Sequence, residues 1–156
     1  MSKKLSKKRK PPKKPTPRAK ALTLLQKLVR LKAADENGIC ECVTSGARKH
    51  WTEMDGGHFI AKGHSSRWAL DERNVHPQTK SQNAYAMKFG TATHSYTMWM
   101  IDHYGKDFVQ HMLDTKNDIH KLYKADYDEM IADFKEQIKE QEARLASTRP
   151  TQEGDY

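Results

Sequence analysis

Cysteine is nearly absent: the 156 residues contain two, Cys40 and Cys42. With a single residue between them a mutual disulfide would be strained, which argues against an oxidised scaffold and fits a reducing cytoplasm. Long apolar runs are also missing. None approaches the roughly 18 residues that a bilayer-spanning helix needs, and no apolar segment near the N-terminus has the form of a secretory signal. The expectation is a cytoplasmic protein with no membrane partner. Hydrophobic residues make up 36% of the chain, enough for one modest core and hardly for two. Acidic residues are absent altogether from the first twenty positions.

That last absence locates the charge. The formal net charge is +8, yet ten of the 28 Lys and Arg residues fall within positions 1–20. The remainder of the chain is therefore slightly acidic, at about −2 by formal count. The basic segment holds Lys3, Lys4, Lys7, Lys8, Arg9, Lys10, Lys13 and Lys14, interspersed with Pro11, Pro12, Pro15 and Pro17. It has too little apolar surface to offset the entropy of ordering, so residues 1–18 are expected to be a disordered tail. Cationic side chains on such a tether neutralise phosphates and release counterions, which points to a nucleic acid without choosing between DNA and RNA.

The folded part is expected over residues 19–146 as one domain, with 147–156 frayed. Thr16 followed by Pro17 can cap and open a helix, along which Leu22, Leu25, Leu28, Val29 and Leu31 recur at helical spacing until Asn37-Gly38. From Ile39 to about Trp68 the periodicity breaks into short extended pieces punctuated by glycine. A short helix fits between Lys80 and Phe89, and Thr93 can cap another that ends before Gly105. A final helix from about Lys116 to Leu145 would align Ile119, Leu122, Tyr123, Tyr127, Met130, Ile131, Phe134 and Ile138. That stripe either covers the domain's own core or pairs two subunits.

The chemistry is concentrated between Asp55 and Asn83. The stretch reads Asp55-Gly56-Gly57-His58-Phe59, then Asp71-Glu72-Arg73-Asn74-Val75-His76-Pro77-Gln78, then Asn83. A hydrolytic nuclease must activate water near neutral pH and hold a divalent cation against the scissile phosphate. Histidine suits the first task because its ordinary pKa lies near about 6.5, and Asp or Asn oxygens suit hard Mg²⁺ or Mn²⁺.

His58, Asn74 and Asn83 stand in the order and approximate spacing of the HNH motif, and the wording of residues 55–59, 71–78 and 83 resembles the phage NinG/Rap recombination nucleases. The resemblance implies an α+β, mostly helical fold. Its centre would be a small ββα-metal core (39–90), followed by a helical part (93–146). It implies a metal-dependent DNA endonuclease acting on branched intermediates such as Holliday junctions, D-loops or flaps. His58 would be the general base and Asn74 would fix the loop beneath it. Asp55 and Asn83 would bind Mg²⁺ or Mn²⁺, the former if the Gly-Gly pair turns back toward His58. His76 would be a further ligand or a phosphate contact, and Lys62, Arg67 and Arg73 are candidate phosphate clamps. A homodimer would set two such sites against opposing strands.

One feature of the relatives is missing here. They usually carry two Cys-x-x-Cys pairs holding structural zinc, whereas this chain has Cys42, Ser45, Thr79 and Gln82 at those positions. Structural zinc is therefore not expected, since a substitute set from Cys40, Cys42 and His50 or His64 would need four well-placed ligands. The loss motivates a rival reading, a DNA-binding recombination accessory that cuts weakly or not at all. A second rival is a basic RNA-binding protein whose tail is its functional part.

Overall fold

The computed structural model describes residues 9–148. Lys3, Lys4, Lys7 and Lys8 of the basic tail lie outside the described residues, as do positions 149–156. Arg9 to Pro15 are exposed and carry no regular structure, and the tail ends two residues earlier than expected because helix α1 (Pro17–Ala33) begins at the proline. Thr16 caps it, its Oγ1 accepting the Ala19 N–H at 3.2 Å, and the proline costs nothing where no intrahelical donor is needed. Leu25, Leu28 and Leu31 are wholly buried on its inner face, each contributing roughly 1.5–3 kcal/mol of burial.

Two small antiparallel sheets follow, with helices around them, so the architecture is α+β and mostly helical. Strands β1 (Ile39–Glu41) and β2 (Arg48–His50) form the first sheet. The second joins β3 (Met54–His58) to β4 (Val75–Thr79), with Asp55 opposite Gln78, Gly57 opposite His76 and His58 opposite Val75. Directly after β4 the chain turns helical from Lys80 to Phe89, with a π-helical stretch at Gln82–Ala86 leading into α2 (Met87–Phe89). Strand, strand and helix thus follow one another around the motif residues. Helices α3 (Ala92–Tyr104), α4 (Lys106–Thr115) and α5 (Lys124–Ser147) complete the chain.

The β3–β4 hairpin is sandwiched. On one face α1 approaches so closely that a Cβ on Gly56 would lie 2.7 Å from the Gln26 backbone. On the other, α3 brings Tyr96 and Tyr104 against His76. Beyond α1 lies α5, whose Phe134 and Ile138 join Leu25, Leu28, Leu31 and Val75 in one apolar cluster, with Tyr127, Met130 and Ile131 at its margin.

This packing corrects the reading of the last helix. It begins at Lys124 rather than near Lys116, and Ile119 and Tyr123 are 91% and 63% exposed instead of joining the stripe. The segment before it is drawn toward the loop at 59–74. Ser66 Oγ accepts the His120 N–H at 2.9 Å and donates to the Asp118 carbonyl at 3.3 Å, while Arg67 pairs with the Asp118 carboxylate at 3.1 Å. The remaining stripe covers α1, so the surface considered for pairing two subunits is spent within one chain.

Candidate functional site

His58 ends β3 and is buried, with its Nε2 2.8 Å from the carbonyl oxygen of Ala69. A carbonyl only accepts, so Nε2 carries the proton and Nδ1 holds the lone pair. Burial pushes the pKa of His58 below the ordinary histidine value, with Lys62 and Arg18 adding repulsion and the Ala69 carbonyl opposing them. The ring is therefore neutral at physiological pH, with one fixed tautomer and an available base.

Asn74 holds the loop that leaves this histidine. Fully buried, it accepts the Ile60 N–H at 2.8 Å and donates to the carbonyls of Ile60 and Trp68 at 3.0 and 3.1 Å. Its own carbonyl takes the Phe59 N–H at 2.9 Å. Four bonds from one residue thus close the loop at 59–74 onto the end of β3.

Asp55 and Asn83 come together, Asn83 Nδ2 donating to Asp55 Oδ2 at 3.1 Å. Asn83 lies in the π-helical stretch, a rare element that is frequent at functional sites. Lys80 Nζ stands 3.5 Å from the other oxygen of Asp55. The expected Gly-Gly turn is absent: Gly56 and Gly57 lie within β3. Strand alternation therefore places Asp55 on the face opposite His58, about 10 Å away along the chain. One carboxylate plus one amide oxygen, reached by rotating the Asn83 amide, fits a hard cation that keeps water and phosphate as its other ligands. Among the described residues no three His, Cys, Asp or Glu side chains gather as a closed metal cage.

Gln78, directly across from Asp55, is a residue that spacing alone did not single out. It is completely buried, and its Oε1 is the one sealed side-chain oxygen or nitrogen without a partner among the described residues. Its carboxamide fills the space over Gly57, so a Cβ at Gly57 would collide with it. An unpaired buried oxygen beside Asp55 adds to the oxygen-rich character of this face.

His76 is engaged differently from expectation. Its Nδ1 meets Tyr96 Oη at 3.0 Å and its Nε2 meets Tyr104 Oη at 2.8 Å. Tyr96 donates its proton to the Gly57 carbonyl at 2.7 Å, so it must accept from Nδ1, and Nε2 must accept from Tyr104. A directed chain thus runs Tyr104, His76, Tyr96, Gly57. Burial, aided by His103, pushes the His76 pKa down to about 3. Neither nitrogen is left for a metal, and the ligand or phosphate role is replaced by a tether on the residue preceding His58.

The proposed phosphate clamps are not equivalent. Lys62 is exposed and lies close enough to His58 to lower its pKa. Arg67 holds Asp118 in an exposed pair, of a kind worth about 0–1 kcal/mol and readily exchanged for a phosphate. Arg73 is fixed by two bonds to Asp71 at 2.9 and 2.8 Å, and its guanidinium lies over the rings of Trp68 and Phe108. Arg9, Lys10, Lys13 and Lys14 are exposed.

The family model described as Bacteriophage Lambda NinG protein matches residues 2–144, nearly the whole chain. The chain belongs to the NinG family. No curated protein and no solved structure matches it. No helix among the described residues of this NinG protein is long and apolar enough to cross a membrane.

The resemblance singles out four positions, Cys42, Ser45, Thr79 and Gln82, at which relatives usually carry thiolates. In this NinG chain they converge as a hydrogen-bonded cluster. Cys42 Sγ accepts the Thr79 N–H at 3.3 Å and lies 3.4 Å from Thr44 Oγ1, which donates to Gln82 Oε1 at 2.8 Å. Burial alone would raise the Cys42 pKa, but bonds from Ser45, Thr44 and Thr79 outweigh it and lower it to about 7. Cys40 faces elsewhere, its Sγ donating to the Arg30 carbonyl at 3.1 Å, and burial raises its pKa to about 11. A polar cluster thus stands where a structural zinc site would need its thiolates.

Proposed function

We propose that this NinG-family protein, of a phage family related to recombination, is a metal-dependent endonuclease of HNH type that hydrolyses DNA phosphodiesters at branched intermediates. The observation that carries this reading is His58: its tautomer is fixed by the Ala69 carbonyl and its pKa is lowered by burial, leaving Nδ1 as a base for a water proton. Asn74 and the Tyr104–His76–Tyr96 chain hold the strand end from both sides, which limits the reach of that base to one place. Asp55 and Asn83 are the pair that would hold Mg²⁺ or Mn²⁺. Because they lie on the face of β3 opposite His58, the cation would supply positive charge to a phosphate oxygen while His58 would act from the other side of the strand end. Lys62 and Arg67 bind flanking phosphates, and the basic tail adds affinity independent of sequence.

A second reading is favoured by a specific observation. Asp55 is already occupied by Asn83 and Lys80 on the face away from His58, as suits a DNA-binding accessory protein that does not cut. The two separate in one assay, with labelled linear duplex, flap and four-way junction DNA at low salt with Mg²⁺ or Mn²⁺. Under the nuclease reading cleavage appears, stops with EDTA, and falls at least about 100-fold in His58→Ala while binding persists. If wild type binds every substrate and cuts none, the accessory reading replaces it.

A further inference from the structure

Tyr85 and Phe89 stand one helical turn apart on the helix that carries Asn83, with ring centroids 5.2 Å apart and planes tilted by 46°. They are 66% and 74% exposed, so the helix presents two large rings to solvent in place of burying them. The charge of the segment itself is one-sided: from Lys80 to Ile101 it contains Lys80, Lys88 and His94 and no carboxylate, and the Asp55 carboxylate of β3 that reaches it is paired with Lys80. Aliphatic partners are a poor match for such a surface, because cations interleaved with aromatic faces are the features that bind a polyanion carrying flat π-systems. Bases within a duplex already stack on their neighbours, whereas unpaired bases offer a free face.

We propose that Tyr85 and Phe89 form a stacking platform for unpaired bases of a DNA strand whose backbone runs past Lys80 and Lys88 toward the Asp55–Asn83 face. This rests on the reading of the protein as one that binds DNA, and it deepens that reading by saying what marks a branch point: bases freed from pairing. Lys80 neutralises backbone and Asp55 in turn, so the platform and the candidate metal face share one helix and one cation. Every base has a π-face, so the platform selects for unpaired structure and not for sequence.

The test needs no cutting. Binding is measured by fluorescence anisotropy in EDTA with two DNAs of equal length. One is fully paired; the other has a three-base unpaired segment containing 2-aminopurine, whose emission reports stacking. Wild type is expected to prefer the unpaired DNA and to quench its 2-aminopurine. Tyr85→Ala/Phe89→Ala should bind the unpaired DNA roughly 10- to 100-fold more weakly, lose the quenching, and keep its affinity for paired DNA. Tyr85→Phe/Phe89→Tyr should retain preference and quenching. Equal losses on both DNAs, or no loss on either, overturn the proposal. So does a drop in solution mass in the alanine variant, which would make the pair a contact between two copies. Circular dichroism and thermal melting establish that each variant is folded. A protein that shows this preference but never cuts refutes the nuclease reading alone.

Discussion

The buried chain Tyr104–His76–Tyr96–Gly57 predicts a defined acid sensitivity. Folding depresses the His76 pKa from 6.5 to about 3, so the unfolded chain holds the proton more tightly. Stability from this residue is whole above the unfolded value and is lost as pH falls toward the folded one. Between about pH 7.5 and about pH 5.0 that linkage amounts to a loss of about 2 kcal/mol. His58 titrates in the same direction and adds to the slope. His76→Gln isolates the effect, because a carboxamide can donate to Tyr96 and accept from Tyr104 without titrating. The variant should start less stable and then lose about 2 kcal/mol less than wild type over the same interval. Urea unfolding followed by tryptophan fluorescence at several pH values measures this. Parallel pH profiles for the two proteins would refute both the directed hydrogen-bond chain and the burial argument behind it.

Two further predictions concern the tail and the former thiolate positions. Deleting residues 1–16 removes eight cations, so the slope of log K against log salt for duplex DNA should shrink by as much as about 7. Metal-dependent cutting should persist at higher protein concentration, and complete loss of cutting with the fold intact would place the active element in the tail. Ser45→Cys/Thr79→Cys/Gln82→Cys places three more thiols at positions that already lie close to Cys42 through its hydrogen-bond cluster. Free zinc at a thousandfold its Kd should then stabilise the variant by about 4 kcal/mol and leave wild type unchanged; equal melting curves with zinc and with EDTA would show that the four positions do not face one centre.

Legibility in the sequence followed the reach of each interaction. Helix α1 could be read because its signals are local: Thr16 caps, Pro17 opens, and the leucines share one face. The order of strand, strand and helix was implied by a resemblance carried on residues 55–83. By contrast, the start of α5 depends on Ser66 and Arg67 gripping Asp118 across more than fifty positions, and no periodicity records such a grip. Gly56-Gly57 was expected to turn, as adjacent glycines often do. The pair instead serves close approach, to the α1 backbone at Gly56 and to the Gln78 carboxamide at Gly57. His76 could be recognised as chemically loaded from its neighbours in the motif, but its partners lie on α3, twenty and twenty-eight residues away.

The same long-range bonds explain how a sheet of only two strands can hold an imidazole in position. A lone hairpin is marginal in water, and this one ends at His58. Before the histidine, the Gly57 carbonyl is tied through Tyr96 and His76 to Tyr104. After it, the Phe59 and Ile60 amides are tied to Asn74. The imidazole itself is tied to Ala69. Removing one tie leaves the other two in place, so loss of the Tyr104 hydroxyl should loosen His58 less than loss of the Asn74 side chain, which alone makes three of the bonds around the loop. Precision at this site therefore comes from the elements packed against the hairpin, and α3, which carries no proposed catalytic group, contributes one of the three ties that place His58.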